Sequence, residues 1–204
     1  MEKISRPDQL RQRLKALATI DTLLCSQWDL RYFGFNAHWA ENEELGSMRN
    51  GEGDDFFVLF FREYVAIKGS SLKHKYLAGT SFVKVARQQI PKEFGAFLAE
   101  PAFSMKEATF IYWHSNSWHE VISPKRDQRG DGSAYLMQWI LWDELAHARW
   151  VKEYYDVDID PTSIAAVFSG QIIDQVLLTK FGFDGDITEL IRDLAEIGYP
   201  QSLK

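Results

Sequence analysis

The sequence is nearly without cysteine, since Cys25 is the only one among 204 residues, and an intramolecular disulfide is therefore excluded. Long apolar runs are also missing. The longest strongly apolar stretch, Phe56 to Phe61, is far shorter than the roughly 20 residues that a transmembrane helix needs. The first residues, Met1 to Asp8, contain no apolar signal core. These absences predict a cytoplasmic protein with no membrane association.

Basic charge is in short supply as well. The chain has 23 Lys and Arg against 29 Asp and Glu, a formal net charge of −6, and no run of Lys or Arg is longer than two. Nucleic-acid binding needs a basic surface that displaces counterions from phosphates, so no nucleic-acid partner is expected. Opposite net charges accelerate association, and the composition therefore favours a basic protein as a possible partner.

Recognisable catalytic motifs are absent too. The sequence contains neither a Gly-x-x-x-x-Gly-Lys phosphate loop nor a Gly-x-Ser-x-Gly nucleophile elbow. Gly51 and Gly53 lack the third glycine of a dinucleotide-binding fingerprint. We therefore predict no cofactor, and the sequence leans away from an enzyme.

Two histidine arrangements are candidates for metal binding. His114 and His119 flank a predicted hairpin turn, with Glu120 as a further donor, but adjacent strand residues point to opposite faces. Glu144 and His147 have the Glu-x-x-His spacing of di-iron bundles, which require two copies of that motif plus two further Glu. We interpret Glu144 and His147 as a helix-surface pair and predict no metal at either place.

Three aspartates alternate with other residues at Asp156, Asp158 and Asp160. In an extended segment their carboxylates would point to one side, where a hard cation could bind. An EF-hand loop would need Gly and Glu where this chain has Pro161 and Val167. Asp160 is most simply the N-cap of a helix that begins at Pro161.

The apolar patterns predict an α+β fold: an antiparallel sheet on which an N-terminal helix and a helical C-terminal half are packed. Helical segments and strands do not alternate as they do in parallel sheets. We expect a single domain over residues 1–204, with the first helix and the sheet in 1–132 and the helical part in 133–204.

The predicted helices cover 6–25, 81–89, 91–101, 161–170, 172–181 and 186–197, and residues 135–142 and 143–155 form either one bent helix or two. The predicted strands cover 28–35, 56–61, 64–68, 108–113 and 117–122, with a turn at Arg62 and Glu63 and a long loop over 40–55. Asp186 and Glu189 have the spacing of a capping box at the start of the last helix.

The segment 47–55, Ser-Met-Arg-Asn-Gly-Glu-Gly-Asp-Asp, is the strongest candidate for a site. Its two glycines permit tight turning, Arg49 offers a five-donor planar fork, and Asp54 and Asp55 offer acceptors. Two alternatives remain open: the loop presents Arg49 to a ligand or partner, or Arg49 pairs with an aspartate inside a structural turn. Polar groups next to apolar strands are typical of ligand pockets. The candidate binding residues are Arg31, Arg49, Asp54, Asp55, Lys68 and His74.

Several short motifs resemble a family of bacterial proteins of unknown activity, and the resemblance covers nearly the whole chain. The motifs are Trp28-x-x-Arg31-Tyr32, the 47–55 segment, Lys68-Gly69, Phe97-Leu98-x-Glu100-Pro101-Ala102-Phe103-Ser104, Asp131-Gly132-Ser133 and Glu196-Ile197-Gly198-Tyr199-Pro200. This resemblance implies no site residue. The layout of leading helix, antiparallel strands and trailing helices is also similar to the Smi1/Knr4 superfamily, which at the level of the fold implies an immunity-type function.

Two hypotheses follow. The first is a non-enzymatic cytoplasmic binding protein, possibly immunity-type, supported by the acidic charge, the abundance of aromatic residues and the missing catalytic motifs. The second is a small-molecule binder or an enzyme whose site lies around Arg49.

Overall fold

The computed structural model describes residues 6–204, and Ser5, which the sequence marks as part of the start of the first helix, lies outside them. The predicted α+β class is confirmed. The strands are β1 (Phe33–Ala40), β2 (Glu43–Arg49), β3 (Asp55–Phe61), β4 (Tyr64–Ser70), β5 (Phe110–His114) and β6 (Trp118–Glu120). The α-helices are α1 (Pro7–Leu24), α2 (Thr80–Gln89), α3 (Gly95–Ala99), α4 (Ser133–Leu136), α5 (Gln138–Leu141), α6 (Glu144–Tyr155), α7 (Pro161–Phe168), α8 (Gln175–Phe181) and α9 (Ile187–Ile197).

The six strands form one sheet in which the order β1-β2-β3-β4-β5-β6 follows the chain. The pairs from β2–β3 to β5–β6 are all antiparallel, as the sequence predicts. The predicted turn at Arg62 and Glu63 joins β3 to β4, and Arg62 takes the left-handed conformation there, with φ of 52°. The long apolar runs of β3 and β4 are explained by burial, because Phe56 to Phe60 are buried without interruption.

Two sequence-based predictions about the strands are wrong. The segment 40–55 is mostly not a loop, since β2 occupies Glu43–Arg49 and leaves only the short connections 41–42 and 50–54. Acidic residues at 43 and 44 disfavour a strand locally, but β2 pairs with the strongly apolar β3 along its whole length. The first strand begins at Phe33 instead of Trp28, because residues 28–30 form a short 3-10 helix on which Trp28 is 73% exposed.

The described residues group into two compact units, one over residues 39–138 and the other over 6–38 together with 139–204. The first is called the sheet unit and the second the helical unit. The sheet unit ends at residue 138, six residues after the predicted end of the sheet part at 132. The sequence predicts that helix α1 belongs with the sheet, but α1 groups with the helical unit. The single domain over 1–204 stays a prediction.

The sheet unit has its own apolar core. One sheet face supplies Leu45, Phe57, Leu59, Ala66 and Ile111, and the segment between β4 and β5 covers that face with Phe82, Phe94, Phe97 and Phe103. Alternation along each strand explains this, since residues two apart point to the same face. Polar residues at the two ends of this face, where the aromatic cover stops, are the starting points for a functional site.

The helical unit is built around α1, whose buried residues Leu10, Leu14 and Leu17 recur at helical spacing. Within this unit α1 packs against α7 and α9, and α6 packs against α7. Four of its helices begin at a capping aspartate, and the predictions for α7 and α9 are thereby confirmed. The caps are Asp143, Asp160, Asp174 and Asp186.

Within residues 6–204, every helix is too short or too polar to pass through a lipid bilayer.

Candidate functional site

The predicted Arg49 loop is a strand end followed by a tight connection. Arg49 is the last residue of β2, and the side chain of Asn50 organises residues 50–54 by accepting hydrogen bonds from the backbone N–H groups of Glu52 (2.9 Å) and Asp54 (3.0 Å). Gly51 and Gly53 have φ of 73° and 102°, which explains the two glycines. Asn50, rather than an Arg49–aspartate pair, therefore holds this turn.

Three of the predicted site residues lie together at one end of the sheet face. This group, called the Lys68 corner, consists of Arg49, Asp55, Phe57 and Lys68. The register places Arg49 opposite Asp55 and Phe57 opposite Lys68. The ammonium group of Lys68 donates to Asp55 Oδ1 at 2.6 Å and lies 5.3 Å from the centre of the Phe57 ring. The Arg49 guanidinium lies over the same ring, also at 5.3 Å.

The Lys68 corner is closed by its own ion pair. The Lys68 side chain is 0% exposed and that of Asp55 is 29% exposed. Burial raises the pKa of the Asp55 carboxyl above its ordinary value, and the adjacent Lys68 ammonium opposes that rise. Since each charged group satisfies the other, this pair does not offer a free base or a free cation to a ligand.

Asp54 and His74 attach the segment after β4 to its surroundings. Asp54 Oδ1 accepts from the backbone N–H of Leu72 at 2.6 Å. His74 Nδ1 lies 3.0 Å from Ser71 Oγ, and its Nε2 lies 3.2 Å from the carbonyl oxygen of Arg129. A Ser–His hydrogen bond can activate a nucleophile. Ser71, however, is only 3% exposed, and the backbone of Gly132 lies directly against it.

The structure does not bring Arg31 to these residues. Arg31 belongs to the helical unit, where its Nε donates to the Cys25 carbonyl at 2.8 Å and its Nη2 to Asp193 Oδ2 at 2.8 Å. These bonds fasten the end of α1 to α9, which is a structural function.

At the other end of the same sheet face lies an open cleft of about 410 Å³, called the acidic cleft. It lies between the β1–β2 connection, the β3–β4 hairpin end and the start of α3. Its lining residues are Glu41, Asn42, Glu43, Leu59, Phe61, Arg62, Tyr64, Glu93, Ala96 and Phe97. The volume is within the usual range of ligand sites, about 300–1,000 Å³.

The acidic cleft combines negative charge with aromatic surface. Glu41, Glu43 and Glu93 outnumber the one cationic lining residue, Arg62. The carboxylates come from two separate parts of the chain, because the register sets Glu43 opposite Phe61 while Glu93 precedes α3. Charged groups at the mouth and apolar groups behind them suit a ligand with a cationic end and an apolar stem.

The aromatic wall of the acidic cleft is a packed group of rings. The centroids of Phe61, Tyr64 and Phe94 lie 5.2 to 5.5 Å apart in all three pairs. Phe94 is fully buried behind the two half-buried rings, and Trp113 packs on it. A hydrogen bond with Glu63, together with that residue's negative charge, raises the pKa of Tyr64 above its ordinary value of 10.0. The phenol therefore stays protonated near neutral pH.

Sequence reasoning missed the acidic cleft. Its lining residues come from 41–43, 59–64 and 93–97, and no local motif connects these segments. The signal that could have revealed the acidic cleft is Glu43, the first residue of β2, which is paired with Phe61 at the end of the β3–β4 hairpin. That signal depends on recognising β2, which the loop prediction excluded.

The hypothesised histidine metal site is not assembled. The β5–β6 register pairs Trp113 with His119 and His114 with Trp118, so the two histidines point to opposite faces. His119 is stacked on Trp113 at 4.0 Å, and Glu120 pairs with Arg126. Among residues 6–204, no three His, Cys, Asp or Glu side chains are grouped so that they could hold a metal ion.

The three alternating aspartates do not form one cation site, because two of them pair with a lysine and the third caps a helix. Lys152 pairs with Asp156 at 3.0 Å and with Asp158 at 3.2 Å. Asp160 caps α7 by accepting from the backbone N–H of Thr162 at 2.8 Å, as predicted.

The interpretation of Glu144 and His147 as a surface pair is wrong for His147, which is 0% exposed on α6. Its ring packs against Phe33 and Phe168. Burial, and secondly the charge of Arg13, lowers the pKa of His147 to about 3. The imidazole is therefore neutral at physiological pH and packs in the core of the helical unit.

A second buried ionisable group of the helical unit is Asp21, which is 0% exposed. Its Oδ2 accepts from the backbone N–H of Phe33 at 2.7 Å. Burial raises the pKa of Asp21 to about 7, against the opposing effects of the Phe33 hydrogen bond, the Tyr155 side chain and the charge of Arg31. Asp21 links the end of α1 to the start of β1.

Comparisons with protein-family models, curated proteins and solved structures found no match to this chain. The geometry of the acidic cleft and of the Lys68 corner therefore carries the functional argument.

Proposed function

We propose that this chain is a non-enzymatic binding protein whose acidic cleft takes a basic segment of a protein partner. One observation carries the proposal: three glutamates and an aromatic wall line one open cleft of about 410 Å³. Carboxylates attract a cationic side chain, and ring faces and apolar residues cover its stem.

The charge of the whole chain supports the same partner. A formal net charge of −6 favours approach of a basic protein over long distances. Glu41, Glu43 and Glu93 then concentrate negative charge at one place on the sheet unit. Such complementarity increases association rates and selects against acidic partners.

The alternative, a small-molecule site or enzyme around Arg49, has less support. In the Lys68 corner the buried ammonium is bonded to Asp55 at 2.6 Å, and Asp54 is occupied by the Leu72 backbone at 2.6 Å. Ser71, which is within hydrogen-bond distance of His74, is only 3% exposed and lies against the backbone of Gly132. A ligand would have to displace these bonds before it could use the groups.

The test uses two labelled peptides of equal length, one rich in Lys and Arg and one in which every basic residue is replaced by Glu. We expect fluorescence anisotropy to report binding of the basic peptide only, with an affinity that falls as salt increases. Replacing Glu41, Glu43 and Glu93 by Gln should weaken binding about tenfold, since three charge pairs of about 0.5 kcal/mol each are lost.

The matched control changes charge by the same amount outside the acidic cleft. Glu52, Glu107 and Glu153 are exposed and do not line it, so a triple Gln variant at these positions should bind the basic peptide as the wild type does. Equal weakening by both triple variants would attribute binding to net charge alone. The acidic cleft would then not be the binding site.

An immunity-type role is one form that this proposal can take, with a basic secreted toxin as the partner and the cytoplasm as the compartment. The test is gentle, low-salt purification from the native host with chemical cross-linking. A basic partner cross-linked near residues 41–43 or 93–97 would support the role. Recovery of the free chain alone would count against it.

A further inference from the structure

The acidic cleft offers carboxylates and a ring surface, and this inference about its ligand depends on the function proposed above. The carboxylates at 41, 43 and 93 come from two chain segments, and the exposed aromatic surface comes from Phe61 and Tyr64. A cation bound here meets a carboxylate and a ring together. A guanidinium and an ammonium group use such surroundings differently, because only the guanidinium is planar and forked.

The arrangement of the rings favours a flat group. Phe61 and Tyr64 are paired across the end of the β3–β4 hairpin with their ring planes 45° apart, and the buried Phe94 ring packs against both. The two accessible rings therefore belong to one hairpin end and form one wall of the acidic cleft. An aromatic cage for a compact ammonium group would need rings on several sides of the ligand. A wall presents a face on which a planar guanidinium can stack while its edge donates to a carboxylate.

The sheet unit already contains this type of contact within itself. The Arg129 guanidinium lies 4.3 Å from the centre of the Tyr76 ring. Its Nε donates to Asp127 Oδ2 at 2.9 Å, and its Nη2 donates to the same carboxylate. This chain therefore contains an arginine whose guanidinium group contacts a tyrosine ring and a carboxylate at the same time.

From the ring wall and the carboxylates we infer that the acidic cleft recognises an arginine side chain of the partner in preference to lysine. In this arrangement the guanidinium stacks on Tyr64 or Phe61 and donates to Glu41, Glu43 or Glu93. The aliphatic stem of the arginine contacts the apolar lining, which includes Leu59, Ala96 and Phe97.

The experiment titrates three blocked amino acids into the ¹⁵N-labelled chain: N-acetyl-arginine amide, N-acetyl-lysine amide and N-acetyl-citrulline amide, the neutral isostere of the first. We expect arginine to shift the amide resonances of residues 41–43, 61–64 and 93–97 at millimolar concentration. Lysine should bind about two- to fivefold more weakly, because the stacking contribution is about 0.5–1 kcal/mol. The citrulline compound is uncharged, so its titration should not reach saturation.

Two variants at one position separate stacking from charge. Tyr64→Phe keeps the ring and should retain the preference for arginine, whereas Tyr64→Leu should bring the arginine affinity close to that of lysine. Glu52→Gln, outside the acidic cleft, should leave all three titrations unchanged. The dispersion of the amide spectrum verifies that each variant is folded.

The outcomes distinguish this inference from the function on which it depends. Equal affinities for arginine and lysine in the wild type would overturn the inference and leave the proposed function standing. The same holds if no blocked amino acid shifts these resonances while the basic peptide still binds in a manner that requires Glu41, Glu43 and Glu93. If the basic peptide does not bind either, the proposed function fails as well.

Discussion

The two ends of one sheet face use charge in opposite ways. At one end the Lys68 corner buries an ammonium group and pairs it with Asp55 at 2.6 Å. About 20 Å along the same strands, by the usual rise per residue, the acidic cleft leaves three glutamates in the lining of an open space. A charged group that is buried and paired stabilises the folded state, whereas an accessible charged group can contact a partner. This difference is why we propose a stabilising role for the Lys68 corner and a binding role for the acidic cleft.

Removing one member of the buried pair should produce the largest effect. Asp55→Ala leaves the fully buried Lys68 ammonium without its carboxylate, and we expect a loss of about 3–5 kcal/mol in the free energy of unfolding. Urea denaturation measures this loss. Binding of the basic peptide by the folded variant should not change.

The matched control for that prediction removes both charges. Lys68→Met combined with Asp55→Ala should recover most of the lost stability, because an apolar side chain of similar length replaces the buried cation. A loss below about 1 kcal/mol for Asp55→Ala alone would mean that the Lys68 corner is not closed. The contrast between the two ends would then disappear.

The buried groups of the helical unit extend the comparison to pH. Asp21, with its pKa raised to about 7, keeps its proton in the folded state, so its contribution to stability falls as the pH rises from about 4 to 7. His147, with its pKa lowered to about 3, stays neutral in the folded state, so its contribution rises with pH from about 3 to 6.5. Between about pH 4.5 and 6.5 the two contributions nearly cancel.

Single substitutions should reveal each contribution. Relative to the wild type, Asp21→Asn should make stability rise with pH over this window, and His147→Leu should make it fall, each by about 1.4 kcal/mol per pH unit. The measurement is chemical denaturation at half-unit pH steps. If both variants follow the wild-type pH profile, Asp21 and His147 are accessible to water in the folded protein, which contradicts their burial in the structure.

Local signals were sufficient to predict part of this structure. The apolar runs of β3 and β4 around the Arg62–Glu63 turn, and the caps at Asp160 and Asp186, depend on residues that are neighbours in sequence. The ion pair of the Lys68 corner was partly predictable for the same reason, because Asp55 and Lys68 belong to one hairpin. Their direct contact at 2.6 Å was not predicted.

The acidic cleft could not be predicted in this way. Its carboxylates become neighbours of Phe61 and Tyr64 only through the pairing of β2 with β3 and the position of α3. Glu43 lies in a strand that its own residues disfavour, so propensity alone excluded it. His147 shows the reverse error, since its helical spacing from Glu144 predicts a surface pair although tertiary packing buries His147.

Photo-cross-linking from the two ends of the sheet face tests the central claim most directly. A benzophenone amino acid is introduced either at Ala96, which lines the acidic cleft, or at Leu72, which is 57% exposed and bonded through its backbone to Asp54, next to the Lys68 corner. Both replacements are neutral, so neither changes the net charge. With the basic peptide present, we predict an adduct from position 96 and none above background from position 72. An adduct from position 72 alone would place the binding surface at the Lys68 corner and contradict the account.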